Sequence, residues 1–317
     1  MQTNNHPTTH NAAFPRAPEA HQRAGKGSFD IYQEVTDKII EAIEAGETKG
    51  KGPLWNGQGA TGLPYNMTSK RAYSGVNVLV LWLTADAKGY STPAWLTYKQ
   101  ATELGGTVRK GEKATHIVYF KPLERQETDH ATGEVTTREI PMLRSYAVFN
   151  ADQCDGLPAT QGERQAFNGI EAADSILCNS GAAWEERGTK AFYSPVLDKI
   201  FMPDRDRFAK PESFYAVALH ELTHWTGHSS RLARDFSGRF GTESYAFEEL
   251  IAELGSAFIG ADLGITPETL PDHTSYVASW LKVLKGDKKA IFTAASQASK
   301  THDYIMALAT TDEEQAA

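Results

Sequence analysis

Ala218-Leu219-His220-Glu221-Leu222-Thr223-His224-Trp225 decides how this chain is read. On an α-helix, residues four apart lie on one face, one turn above the other. His220 and His224 can therefore aim imidazole nitrogens at a single metal ion. Glu221 sits about 100° round the helix from His220, within reach of a water bound to that ion. Two nitrogen ligands, an open position and a carboxylate to take a proton are the parts of metal-assisted hydrolysis. The pattern also arises by chance, and a pair of helix histidines held by protein partners is the bland alternative, so context matters. Pro211 and Glu212 suit a first helical turn and Gly227 a C-terminal cap. Between them Phe214, Val217, Ala218, Leu219 and Leu222 provide apolar cover.

A catalytic zinc site usually takes three protein ligands. His228 continues the spacing, but Gly227 is expected to end the helix first. The histidine-rich pattern HExxHxxGxxH fails, because Ser230 holds its last position. The second candidate is on the following helix, in Phe247-Glu248-Glu249-Leu250-Ile251-Ala252-Glu253. Glu249 and Glu253 share a face with the small residues Ala246, Ala252, Ser256 and Gly260. Small side chains let two helices approach closely, and two carboxylates on such a face need a cation or donors. Glu249 is assigned as the third ligand. Glu253 is placed behind the ligands, accepting the free N–H of a ligand histidine. The alternative is that Glu248, Glu249 and Glu253 form a solvated face. Zn2+ is the expected ion from the ligand types, with Mn2+ or another divalent metal compatible with a His/His/Glu set. HExxH on one helix and a glutamate on the next are similar to the gluzincin-type metallopeptidases. In that resemblance the strands before the metal helix supply an edge along which an extended peptide pairs.

Working outward, 317 residues suggest two domains. No run of about eighteen apolar residues occurs, so no membrane span is expected. The N-terminus lacks the basic head and apolar core of a secretion signal. The two cysteines, Cys154 and Cys178, form no CxxC pair. A cytoplasmic protein is expected. The net charge of −8 is uneven. Residues 156–317 carry 15 Lys+Arg against 23 Asp+Glu, whereas residues 49–121 carry 10 against 3. A groove feels the local field, so nucleic acid remains a partner despite the acidic total.

Residues 1–27 are a polar tail and 310–317 an acidic one. A first helix is expected over Ile31–Ala45, capped by Asp30 and stopped by Gly46, with Ile31, Val35, Ile39 and Ile43 packed on its own domain. Residues 49–66 form a Gly-rich loop. Ser74 is expected to cap a helix over 76–88, with Trp82 in the core, and Thr97 with Gln100 a shorter one ending at Leu104-Gly105. Strands follow at Thr115–Lys121 and Met142–Phe149, separated by a polar excursion over Glu124–Glu139. The second part holds a helix near Ile170–Asn179, a hairpin flanking Pro195, the metal helix and three more helices. The fold class is α+β, with a mixed domain over 28–155, a linker over 156–170 and a mainly helical domain over 171–309.

The stretch 49–121 mixes its cations with Trp55, Tyr65, Tyr73, Trp82, Tyr90, Trp95, Tyr98, Tyr119 and Phe120. Cations track a phosphate backbone and exposed rings stack on unpaired bases. Lys70, Arg71, Tyr73, Tyr98, Lys99, Arg109, Lys110 and Lys113 lie in turns or near helix starts and are the candidate DNA contacts. The alternative is a core of rings with solubilising lysines around it.

Tyr73-Ser-Gly-Val-Asn-Val-Leu, Trp95-Leu-Thr-Tyr-Lys-Gln-Ala, Leu104-Gly-Gly-x-Val-Arg-Lys-Gly-Glu-Lys and Val148-Phe-Asn-Ala-Asp-Gln resemble the N-terminal domain of ArdC-type plasmid antirestriction proteins. TraC-type plasmid primases share that domain. His220–His228 and Tyr245–Gly255 resemble the zincin-like metallopeptidase domain of the same ArdC proteins. The resemblance covers about residues 28–305. It implies single-stranded DNA binding by the first domain and protection of incoming plasmid DNA during conjugation. A protein substrate or restriction enzyme is a further partner. The alternative function is a metallopeptidase acting on a specific protein, with the first domain as its recognition module; a third is a structural metal site without hydrolysis.

Overall fold

The computed structural model describes residues 30–48, 62–128, 135–158, 169–235, 242–265 and 273–309. The two tails, most of the Gly-rich loop and most of the expected linker lie outside the described residues.

Helix α1 (Ile31–Thr48) runs through Gly46 rather than stopping there. Strand β1 (Tyr65–Asn66) precedes α2 (Val76–Lys88). Ser74 does not cap α2. Gly75 takes that place with φ at 61°, a left-handed backbone that suits glycine, and donates its N–H to Ser299 Oγ at 2.8 Å. After β2 (Ala94–Leu96) comes α3 (Tyr98–Glu103), where Thr97 and Gln100 satisfy each other's backbone N–H as expected. Strands β3 (Thr107–Val108), β4 (Thr115–Thr128), β5 (Val135–Asn150) and β6 (Cys154–Asp155) complete this half. The main sheet has the order β1-β2-β5-β4. The antiparallel pair β4–β5 keeps one register from Thr115↔Val148 to Thr128↔Val135, through much of the segment read as a polar excursion. Backbone pairing in a two-stranded ribbon needs no buried face, so a polar sequence hides it. At the β4 edge, the Asn77 amide bonds both the N–H and the C=O of Val118 at 2.8 Å, occupying groups that an edge strand leaves open.

The second half contains α4 (Gly169–Asn179) and strands β7 (Ala183–Glu186), β8 (Phe192–Ser194) and β9 (Lys199–Met202). The expected hairpin is β8–β9. Strand β7 was not expected; it pairs parallel with β9, leaving β8 at an edge. Helices α5 (Pro211–Thr226), α6 (Glu243–Leu263), α7 (His273–Gly286) and α8 (Ala290–Ala309) follow. No helix among the described residues is long and apolar enough to cross a membrane.

Two cores hold these elements. One surrounds α5: Ile176, Ile200, Met202, Leu219, Leu222, Ile259 and Ile305 are all buried against it. Every residue of α5 from Phe214 to Thr226 is buried, so its polar side chains His220, Glu221, Thr223, His224 and Thr226 must be satisfied inside the protein. The other core crosses between the halves. Val35, Ile39 and Ile43 of α1 and Leu79 and Trp82 of α2 pack with Leu254 and Phe258 of α6, Trp280 of α7 and Ile291 of α8. The Trp82 and Phe258 rings meet edge-on at 5.6 Å. The apolar stripe of α1 is thus buried as expected, on α2 of its own half and also against α7 of the second. Periodicity shows that a face is covered, not what covers it.

Candidate metal centre

Helices α5 and α6 approach closely because Gly255 faces Thr223. A Cβ at Gly255 would lie 2.7 Å from Thr223 Cγ2, closer than side chains tolerate. Thr223 in turn gives its hydroxyl to the Leu219 carbonyl at 2.8 Å, staying compact against its own helix. That approach brings Glu249 of α6 to the two histidines of α5. One donor atom from each of His220, His224 and Glu249 lies within 4.8 Å of the others. His220 Nε2 is 3.5 Å from Glu249 Oε2, and His224 Nε2 is 3.6 Å from Glu249 Oε1.

These spacings test whether the residues fit a metal ion. Donors bound at about 2.1 Å to one tetrahedral ion sit about 3.4 Å apart. A charge-assisted N–H···O bond would draw them to about 2.7–2.9 Å. The observed separations, one to each oxygen of the Glu249 carboxylate, are longer than such a bond and leave room for an ion among the three side chains. The donor set, two imidazoles and one carboxylate, suits zinc or manganese.

The electrostatics point the same way. Burial lowers the proton affinity of His224, but the carboxylates of Glu249 and Glu248 outweigh it and push its pKa up to about 10. Burial raises Glu249, and the two imidazoles overcome this and hold its carboxyl well below the usual range. The pocket therefore favours positive charge at its centre. Burial pushes the Glu221 carboxyl up, opposed by His220, His224 and a hydrogen bond from the backbone of Tyr193 in β8. A carboxylate with a raised pKa beside a metal-bound water is suited to accept a proton.

Behind His224 stands Glu248, with Oε1 at 3.2 Å from Nδ1. This is the role that spacing assigned to Glu253. Glu253 is buried too, with 6% exposed, but the carboxylate beside the ring is Glu248. The reading of these glutamates as a solvated face fails, since Glu248, Glu249 and Glu253 are all buried. Tyr245, one turn before Glu249, hydrogen-bonds both Glu249 and Tyr276, and burial with the Glu249 charge pushes its phenol up. Glu248 carried a partial signal in the Glu-Glu pair. Tyr245 could have been found from its four-residue spacing to Glu249. The Tyr193 backbone group has no signal in sequence at all. His228 lies beyond the helix end, with Nδ1 at 2.8 Å from Ser230 Oγ, and does not join the three donors.

The candidate DNA contacts lie far from these packed groups in character. Lys70, Arg71, Tyr98, Lys99, Arg109, Lys110 and Lys113 are exposed, while Tyr73 is half-buried against Asn66. Asn66 and Gln100 are joined at 3.1 Å, which sets the turn bearing Lys70 and Arg71 beside the start of α3 with Tyr98 and Lys99. Lys70 itself has φ at 59°, and its ammonium lies over the Tyr65 ring. Arg109 is engaged, bonding Glu112 at 3.1 Å and Asp155 at 3.4 Å. Among the described residues of this half, three exposed rings were not among the candidates: Tyr119, Phe120 and Tyr146. Tyr119 and Tyr146 touch edge-on at 6.1 Å, across β4 and β5.

Comparison with known proteins adds the following. The family model of the N-terminal domain of the anti-restriction factor ArdC matches residues 29–149. A zincin-like metallopeptidase family, MPTase-PolyVal, matches residues 171–297. The crystal structure of antirestriction protein ArdC from plasmid R388, in metal-free form, superimposes with a TM-score of 0.76 at 44% identity, covering 89% of this chain and 98% of that one. Its Mn(II)-bound form gives 0.75 at 42% identity, covering 90% and 100%. The uncharacterized protein y4eC of Sinorhizobium fredii is 41% identical over 88% of this chain and 92% of its own length. A DNA primase TraC of Escherichia coli is 40% identical over 87% of this chain, which spans only 27% of that primase.

Proposed function

The chain belongs to the ArdC family of antirestriction proteins, and on that premise we propose that it binds single-stranded DNA, protects incoming plasmid DNA during conjugation, and carries a metal-dependent peptidase centre. The observation that carries the centre is the convergence of His220, His224 and Glu249 with Glu221 beside them, all buried on two helices. The R388 relative held with Mn(II) supports a divalent ion at these residues, and zinc remains the ion expected from the ligand set. When bound, such an ion supplies an acidified water and polarises a carbonyl.

The chain's own groups then act around it. His220, His224 and Glu249 would hold the ion. Glu221 accepts a proton from a water and hands it to a leaving amine, steadied by the Tyr193 backbone N–H. Strand β8 offers an edge to an extended peptide beside Glu221. On the other half, exposed cations and rings meet phosphates and unstacked bases. The division into a DNA-binding part over 28–155 and a catalytic part over 171–309 belongs to this proposal.

The test is an antirestriction assay in cells with the full-length protein, Glu221→Gln and His220→Ala, run beside salt-dependent binding of single-stranded DNA. Protection by wild type that survives both substitutions assigns it to DNA binding alone. Protection lost in both, with DNA binding intact, assigns it to the metal centre. A wild type with no salt-sensitive affinity for single-stranded DNA overturns the reading.

A further inference from the structure

Arg234 lies in the stretch after α5, with a side chain only 4% exposed. Its guanidinium is fully engaged. Nε donates to Glu248 Oε2 at 3.0 Å, and Nη2 to Glu248 Oε1 at 2.8 Å and the Thr223 carbonyl at 2.6 Å. Nη1 donates to Thr226 Oγ1 at 2.8 Å and Thr301 Oγ1 at 3.0 Å. One side chain thus ties α5, α6 and α8 together around Glu248. Glu248 passes the constraint on, because the same Oε1 meets His224 Nδ1 at 3.2 Å.

We propose that Arg234, acting through Glu248, is the positioning residue that fixes the His224 ring for metal binding; this rests on the reading of His220, His224 and Glu249 as ligands. A ligand imidazole must present a bare nitrogen to the ion, so its other nitrogen must carry the proton and donate it. Glu248 is an acceptor at Nδ1, so that nitrogen keeps its proton and Nε2 is the one that gives way to an ion. A carboxylate alone could swing between rotamers. The planar fork of Arg234 grips both its oxygens and allows one orientation. Lysine, a point charge with three donors on a flexible stem, cannot reproduce that grip. His220 shows the contrast: its buried Nδ1 has no hydrogen-bond partner among the described residues. The anchoring of the site therefore falls on His224, and through it on Arg234.

The experiment measures Zn2+ affinity of the full-length protein by competition with a chromophoric chelator. It adds the visible spectrum of the Co2+ form and the melting temperature of the metal-free form. The expected result is a loss of affinity of about 10- to 100-fold in both Arg234→Lys and Glu248→Gln, with an altered Co2+ band. The double variant should be no weaker than either single one, because the two residues act in series. Thr301→Val, which removes the α8 contacts to Arg234 and Thr226 but leaves the Arg234 grip on Glu248, should keep wild-type affinity. A purely structural Arg234 would lower the metal-free melting temperature and leave the affinity and the Co2+ band unchanged, which overturns the proposal. Additive losses in the double variant overturn it as well. If Arg234→Lys does not fold, the near-isosteric Glu248→Gln decides: wild-type affinity there defeats the proposal. A wild type that takes up neither Zn2+ nor Mn2+ defeats the ligand reading itself, and the proposal with it. Wild-type uptake with unaffected variants defeats the proposal alone.

Discussion

Around His224 the charged groups are sealed in and matched: the Glu248 and Arg234 side chains are 8% and 4% exposed and grip each other. In the N-terminal half Lys99 is 85% exposed, with only Glu103 at 3.5 Å on its own helix. The same charges serve different ends in the two places. In the buried site, geometry is set before a ligand arrives, so the loss of one atom matters. On a surface that binds DNA as proposed, affinity would be a sum over many weak contacts to phosphate, with no one of them essential. The two halves nevertheless share a core through α1, α2 and α6 to α8, so neither is expected to fold unaided. This is why each test below uses the whole chain.

The largest effect is expected where the comparison is sharpest. Glu221→Gln removes the proposed proton acceptor while leaving the three proposed metal ligands in place. Hydrolysis of a protein substrate should fall by about 10²- to 10⁴-fold, with Zn2+ affinity nearly unchanged. Unaltered turnover in that variant would sink Glu221 as the base. Single-stranded DNA binding should be untouched, and a parallel loss of it would mean the two regions are not independent.

Next comes the contact that brings α5 and α6 together. Gly255→Ala places a methyl 2.7 Å from Thr223 Cγ2. Overpacking of this kind costs about 1–3 kcal/mol. Chemical denaturation should show that loss, and Zn2+ affinity should drop with it, because Glu249 rides on the displaced helix. Adding Thr223→Ser removes the obstructing methyl and should restore much of both. A Gly255→Ala protein of full stability and affinity would mean that the close approach does not set the site.

These cases show where the sequence speaks. His220, Glu221 and His224 are legible because their geometry is internal to one helix, and the period of 3.6 residues fixes it. Glu249 is half-legible: small neighbours announce a close helix, though Gly255, the residue in contact, went unremarked. The sequence reading picks Glu253 where the structure has Glu248, because five residues of helix leave the two on different faces and only the crossing of α5 and α6 decides which meets His224. Strand β7 is short and half-exposed, and its parallel pairing with β9 is a tertiary fact. Likewise the stripe of α1 declared a buried face without naming its partner. What is written in one element is readable, and what arises between elements is not.

The exposed rings extend the comparison to a smaller scale. Tyr119 is 55% exposed on β4, whereas Tyr73 is half-buried with its hydroxyl near Asn66. A ring that stacks on a base contributes about 1–3 kcal/mol to binding. Tyr119→Ala should therefore weaken single-stranded DNA binding at constant salt with little change in stability. Tyr73→Ala should do the reverse. Fluorescence anisotropy with an oligothymidylate and a parallel melt separate the two, and equal DNA losses from both would erase the distinction between surface and core rings.

The smallest effect distinguishes a free cation from an engaged one. Lys99 is bound only by a surface pair, the kind worth about 0–1 kcal/mol. If it meets a phosphate, Lys99→Ala should reduce the slope of log affinity against log salt by about 0.7, the value for one contact on a single strand. Its melting temperature should hardly move. Arg109 is exposed too, yet it joins Glu112 to Asp155, and Glu112 is also held by Gln153 at 3.0 Å. That network fastens the turn before β4 to the β6 end of the domain. Arg109→Ala should accordingly lower stability while leaving the salt slope near its wild-type value. Exposure alone treats the two cations alike; the partners around them separate a side chain open to the proposed phosphate contact from one held in a surface network. A loss of about 0.7 from the slope in Arg109→Ala, with stability intact, would reverse that assignment.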